Sequence, residues 1–261
     1  VAADAALLSR AVGAPVRVQL TREQEHAWEP KGAAQWMQVQ GGLDDAGRLA
    51  SWDFSTSYPA STRMLYDKLK AKQVALLDAP MTGTPVHANA GELNLMIGGD
   101  KTVYDRCLPV FQAVAKNIFH VGPSTHGNVV KLINNFLGQV SNAAVAEALP
   151  LAVKAGVDVQ ALFDVVKVSG GNSRVWEGAV PSICQRNFTV TFELRLAHKD
   201  MGYMSNLGRE LNVPLPMTNS LLNVLDMAKA GGLGRENTNA LVKMYEKMLG
   251  VEVRGMEKPK A

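Results

Sequence analysis

The feature that most constrains this chain is a change in hydrophobic period near Asp53. Before it, apolar residues alternate with polar ones, as in Val16-Arg17-Val18-Gln19-Leu20 and Trp36-Met37-Gln38-Val39-Gln40. Alternation is the signature of a half-buried strand. Gly41-Gly42-Leu43-Asp44-Asp45-Ala46-Gly47-Arg48 then leads into Leu49-Ala50-Ser51-Trp52, which predicts a hairpin. A short helix over 2–11, stopped by Gly13 and Pro15, precedes these strands. The charged stretch 22–31 around Trp28 and Pro30 reads as an exposed loop with one buried aromatic.

Beyond Asp53 the period becomes 3.6. Helix is expected over 61–70, and Val74-Ala75-Leu76-Leu77 is a short apolar run of the buried parallel-strand type, ended by Asp78-Ala79-Pro80. A strand is expected at 93–99, a helix at 103–115 and a strand at 118–121. A long helix follows over 128–155, where Pro150 should kink it. Helices at 159–166, 174–183, 194–211, 218–230 and 237–249 complete the chain. The expected fold is therefore α+β at the start, α/β in the middle and all-α at the end.

Composition narrows the function classes. The 261 residues are 47% hydrophobic and 20% charged, as in ordinary globular chains, with a net charge of +3 and no long basic run, so no nucleic-acid surface is expected. Gly, Asn, Lys or Glu interrupts every apolar run before membrane-spanning length, and the opening residues do not make a signal peptide. Cys107 and Cys184 stand far apart, which suits a reducing, cytoplasmic setting rather than a disulfide scaffold. The five histidines lack metal-ligand spacing, so no metal is assigned, and the methionines at 201, 204, 217, 227, 244 and 248 are expected to fill the core.

Three places could carry chemistry. Lys131 and Asn135 lie one turn apart on the long helix among Val129, Val130, Leu132, Ile133, Phe136 and Leu137; an amine embedded there would have a lowered pKa and serve as a base near neutral pH. The alternative is a solvated helix face. The loop after the run 74–77 offers Thr82 and Thr84 hydroxyls and the flexible Gly83 to a carboxylate, or merely turns the chain. Lys199-Asp200 lies in a helix and reads by default as an exposed charge pair.

Together these segments resemble the β-hydroxyacid dehydrogenase family, the group of 3-hydroxyisobutyrate dehydrogenase and tartronate semialdehyde reductase. Asp53-Phe54-Ser55-Thr56 resembles its DxST loop, and Asp78-Ala79-Pro80-Met81-Thr82-Gly83 its DAPVSGG loop, with Thr82 for Ser and Thr84 for the second Gly. Gly127 to Asn135 resembles its GxxxKxxNN helix, although Thr125 stands where a glycine is usual. Lys199-Asp200-Met201-Gly202 resembles its KDLG motif. The resemblance implies a Rossmann-type dinucleotide-binding part over 53–124 and an all-helical substrate and dimerisation domain over 125–261, like that of 6-phosphogluconate dehydrogenase. It implies hydride transfer between NAD or NADP and a small hydroxy acid or semialdehyde. Lys131 would be the general acid/base and Asn135 would hold the hydroxyl. Thr82, Gly83 and Thr84 would bind the carboxylate, Lys199 with Asp200 would lie by the nicotinamide, and Thr56 near the ribose. Lys131 also sets the chain apart from imine reductases of the same superfamily.

Residues 1–52 resemble instead a fragment of the molybdenum-binding subunit of the xanthine and aldehyde oxidase class, through Asp4 to Gly13, Pro15 to Val18, Glu25 to Gly32 and Gly42 to Asp44. None of the molybdopterin-binding parts is there, so no molybdopterin is expected. A fusion junction is expected at Trp52-Asp53. No GxGxxG or GxGxxA turn occurs upstream of Asp53 to hold a pyrophosphate. The expectation is thus a chimeric chain with a truncated cofactor part and negligible turnover, or else a non-catalytic helical module that forms a homodimer.

Overall fold

A computed structural model describes residues 39–43, 49–54, 58–83, 87–88 and 90–255, with the backbone alone over 39–54. The expected helix at 2–11, strand at 16–20 and loop at 22–31 lie outside the described residues. The chain divides into two compact units, residues 1–131 and 132–261.

In the first unit, β1 (Val39–Leu43) and β2 (Leu49–Phe54) pair antiparallel as the expected hairpin, with a register shift at Gly42/Leu43. Strand β2 runs unbroken through Trp52-Asp53, where the sequence pattern suggests a junction. Helix α1 (Pro59–Lys70) begins with proline, which has no N–H to leave unsatisfied, and ends with Lys68 and Lys70 at its negative pole.

The run 74–77 is not a ladder strand. Leu76 and Leu77 are buried as expected, but no described strand lies beside them to supply a parallel partner. Pairing begins only at Asp78, whose N–H and C=O exchange bonds of 3.0 and 2.8 Å with Gly98. β3 (Met81–Thr82) continues antiparallel to β4 (Leu93–Gly98), and β4 is parallel to β5 (Ala115–Gly122), in the order β3-β4-β5. Parallel neighbours need a crossover, here α2 (Lys101–Gln112), which starts on Asp100 and ends three residues before the expected limit because Ala115 opens β5. Leu77, Ala79, Leu93, Leu95, Ile97, Tyr104, Cys107 and Ala115 form the core of this βαβ unit.

Helix α3 (His126–Lys154) passes from the first unit into the second and continues through Pro150. By length and composition it could cross a membrane, contrary to the expectation that polar residues interrupt every such run. Its apolar length has another use: Leu132, Val145, Ala146 and Leu149 are buried, while Val130, Ile133, Leu137 and Leu151 make an exposed stripe.

The second unit is helical: α4 (Val159–Lys167), α5 (Arg174–Cys184), α6 (Leu194–Glu210), α7 (Pro216–Ala230) and α8 (Val242–Leu249). Asp158 and Ser173 cap α4 and α5 through the amides of Ala161 and Trp176. The helix expected over 237–249 is instead a 3-10 turn at Thr238–Leu241 followed by α8. Leu149, Val180, Ile183, Leu194, Met201 and Leu225 lie at the centre of the core. Of the methionines expected there, Met201 and Met204 are buried, but Met217, Met227 and Met248 are more than half exposed. Spacing placed them on helices without deciding the face.

Candidate active site

The start of α3 is built around a buried carboxylate. Asp78, fully buried, accepts hydrogen bonds from the backbone N–H of Thr125 at 2.7 Å and of Asn128 at 2.9 Å. It therefore caps α3 from a distant segment and satisfies amides that a helix start leaves open. Desolvation pushes its carboxyl above the usual aspartate range, while the two amide bonds pull the other way. The fit needs Gly127: a Cβ there would lie 2.4 Å from the Met96 carbonyl and 2.8 Å from Asp78 Oδ2. Asn128 is tied down further by Thr62 of α1, whose hydroxyl accepts from Asn128 Nδ2 at 2.6 Å. Lys131 follows one turn after Gly127 and is 6% exposed, so the solvated-face alternative does not hold for it.

The carboxylate loop is described as far as Gly83. Thr82 Oγ1 accepts from Asn94 Nδ2 at 3.2 Å. Gly83 has φ +141°, a backbone conformation that side-chain-bearing residues rarely adopt, so glycine is favoured there. Thr84 and Thr56 lie outside the described residues.

In the second unit Asn135 Nδ2 donates to Asp200 Oδ2 at 2.7 Å, and Lys199 Nζ stands 3.3 Å from Asp200 Oδ1. Asp200 is 8% exposed, so Lys199-Asp200 is not the exposed pair of the default reading. Lys199 also lies over the Tyr203 ring at 5.6 Å. Asn237 anchors the start of α6, its Oδ1 accepting from the N–H of Thr191 at 2.9 Å and of Phe192 at 3.1 Å. Sequence reading missed Thr62, Asn94, Asn128 and Asn237. Each is a single polar residue with no spacing to mark it, and only Asp78 carried a motif signal.

A dinucleotide's pyrophosphate needs free amides at a helix start after a strand. Among the described residues, three helices follow a strand. The N-terminus of α2 is taken by Asp100 Oδ1, which accepts from Thr102 at 2.8 Å and Val103 at 3.2 Å, and that of α3 by Asp78. The β2–α1 connection, Ser55-Thr56-Ser57-Tyr58, has no glycine. The starts of α2 and α3 therefore do not fit a pyrophosphate.

Two family models match. Residues 45–122 match the NAD-binding domain of 6-phosphogluconate dehydrogenase, and residues 125–245 match the NAD-binding model of NADP-dependent 3-hydroxyisobutyrate dehydrogenase. The chain is 36% identical over 204 residues to 2-(hydroxymethyl)glutarate dehydrogenase of Eubacterium barkeri, covering 78% of this chain and 68% of that one. This chain belongs to the β-hydroxyacid dehydrogenase family. L-threonate dehydrogenase of Escherichia coli is 31% identical over 73% of this chain and 64% of its own length. A crystal structure of 3-hydroxyisobutyrate dehydrogenase from Salmonella typhimurium matches with a TM-score of 0.64 at 31% identity, over 72% of this chain and 66% of that one. The Mycobacterium tuberculosis 3-hydroxyisobutyrate dehydrogenase solved with L-serine matches with a TM-score of 0.68 at 26% identity, over 72% and 67%. The chain thus spans about two thirds of the length of these relatives, 68% and 64% for the first two. Its α/β part is of the Rossmann type and its helical part is the family's C-terminal domain. The family match begins at residue 45, inside the segment whose text resembles a molybdenum-binding subunit, and that second resemblance is unsupported.

Proposed function

We propose that this chain carries the substrate-side chemistry of an NAD(P)-dependent dehydrogenase for a small hydroxy acid or semialdehyde. The observation that carries the reading is Lys131, nearly buried one turn after the Asp78–Gly127 junction and one turn before Asn135 on a single helix. Lys131 takes the proton of the substrate hydroxyl as the carbonyl forms, and returns it in reduction. Asn135 holds that hydroxyl. Thr82, Gly83 and Thr84 bind the carboxylate, Lys199 and Asp200 face the nicotinamide, and Thr56 faces the ribose. NAD(P), when bound, supplies the hydride acceptor. The 2-(hydroxymethyl)glutarate, L-threonate and 3-hydroxyisobutyrate named for the relatives set the substrate class, a short acid with a nearby hydroxyl.

Because carboxylates already cap the starts of α2 and α3, and no GxGxxG or GxGxxA turn stands upstream of Asp53, we expect weak NAD(P) binding and negligible turnover by this chain alone. A fluorescence titration with NADPH and NADH, with Lys131→Met as the control in an assay of 3-hydroxyisobutyrate and L-threonate, tests both parts. Saturation at micromolar cofactor sinks the weak-binding claim. Turnover that survives Lys131→Met sinks the assignment of Lys131. The burial of both thiols, Cys107 and Cys184, outside any disulfide suits the reducing cytoplasm.

A second reading, a helical module that pairs with a copy of itself with or without cofactor, is favoured by the stripe on α3, where Leu137 is 60% and Leu151 61% exposed. Sedimentation with and without NADP separates the two. A monomer at all concentrations ends the second reading.

A further inference from the structure

Thr82, the last residue of β3, stands in line with two asparagines on the neighbouring strands. Thr82 pairs with Asn94 across β3 and β4, and Asn94 pairs with Asn117 across β4 and β5. Cross-strand partners present their side chains on the same face, and here they bond in series. Asn117 Nδ2 donates to Asn94 Oδ1 at 2.7 Å, and Asn94 Nδ2 donates to Thr82 Oγ1 at 3.2 Å. Asparagine is depleted in strands, so two in facing positions cost sheet propensity with no apolar burial in return. A break of the local rule of this kind is expected where a site requires it.

The ladder has a direction, and the direction has a chemical consequence. A threonine hydroxyl offers one donor and two acceptor positions. Asn117 fixes the amide of Asn94 with its oxygen toward β5 and its N–H toward β3. The incoming N–H occupies an acceptor position of Thr82, so the hydroxyl proton must point elsewhere. Run the other way, with both amides turned, the ladder would draw that proton toward Asn94 and leave Thr82 only acceptor positions, which repel an anion.

We propose that Asn94, held by Asn117, is a positioning residue that sets Thr82 as a hydrogen-bond donor to the carboxylate of the hydroxy acid. The inference rests on the carboxylate-binding role of Thr82 proposed above and adds what prepares that residue for it.

The test uses the full chain, with 3-hydroxyisobutyrate as the probe, in a double-mutant cycle of Asn94→Ala and Thr82→Val read by NMR titration. A hydrogen bond to a charged group is worth roughly 1.5–3 kcal/mol, so Thr82→Val should weaken binding about tenfold or more. Asn94→Ala should weaken it about threefold to tenfold when Thr82 is present and have no effect in the Thr82→Val background. Side-chain amide signals of Asn94, assigned by their loss in Asn94→Ala, should move in both Thr82→Val and Asn117→Ala without any ligand. An affinity indifferent to Thr82→Val, or no binding by the native chain, would defeat the carboxylate reading and this proposal with it. If Thr82→Val weakens binding but Asn94→Ala acts equally in both backgrounds, or the Asn94 signals stay still, only the ladder is overturned.

Discussion

Asn135 donates its side-chain N–H to Asp200 at 2.7 Å, which joins the GxxxKxxNN helix to the KDLG helix through one part-buried bond. The bond fixes which end of the Asn135 amide faces Asp200, so its oxygen is turned away. Asp200→Ala removes the acceptor of this half-buried donor, at a cost of about 0.5–1.5 kcal/mol. Asp200→Asn should cost less, because its carbonyl oxygen can still accept. Urea midpoints of the three proteins check the order. Equal midpoints for Asp200→Ala and the native chain would mean that the bond contributes nothing.

Thr125 has φ +78°, a conformation rare for a β-branched residue. Its N–H is locked onto Asp78 at 2.7 Å. Strain of this kind is worth roughly 1–3 kcal/mol, and glycine's extra chain entropy returns roughly 0.5–1 kcal/mol of it. Thr125→Gly should therefore raise the melting temperature by a few degrees, whereas Thr125→Ala, which keeps a Cβ, should not. A lower melting temperature for Thr125→Gly would show that the methyl and hydroxyl contribute more than the strain costs.

The sequence made the helices and the β4-α2-β5 unit legible because their apolar periods are set by a single core face, as Leu93, Leu95 and Ile97 show on β4. It did not reveal that 74–77 has no ladder partner among the described residues, since an apolar run reports burial and not who pairs with it. The burial of Lys131 was legible in the apolar residues crowded around it. Asp78 as the cap of α3 was not, because it lies 47 residues from Thr125 in sequence, and no local rule reaches that far. The same holds for the Asn94–Asn117 pair, which only strand register brings together.

The pH dependence of stability carries the mark of Asp78. Burial raises its carboxyl pKa in the folded chain, so between the ordinary value of roughly 3.9 and the folded value the folded state binds more protons. The destabilising contribution of the ionised group is complete above the folded pKa. It fades as pH falls and is gone below the ordinary value. Against Asp78→Asn, which has no such titration, the native chain should gain relative stability as pH is lowered through that window. Chemical unfolding of both proteins at a series of pH values reads it; a native stability that falls relative to Asp78→Asn on acidification would mean that the amide bonds outweigh desolvation.

Gly127→Ala sets two magnitudes against each other. In the interior of an exposed helix the change to alanine stabilises by about 0.8–1 kcal/mol. Here the new Cβ would lie 2.4 Å from the Met96 carbonyl and 2.8 Å from Asp78 Oδ2, so the start of α3 must move off β4 or lose its cap. Overpacking against backbone costs about 1–3 kcal/mol, and loss of the cap adds about 1 kcal/mol. The clash should win, with a net loss of about 1–3 kcal/mol and faster hydrogen exchange at the Thr125 and Asn128 amides. Exchange at those two amides is the deciding measurement, because a stability loss without it would place the strain elsewhere than at the Asp78 junction.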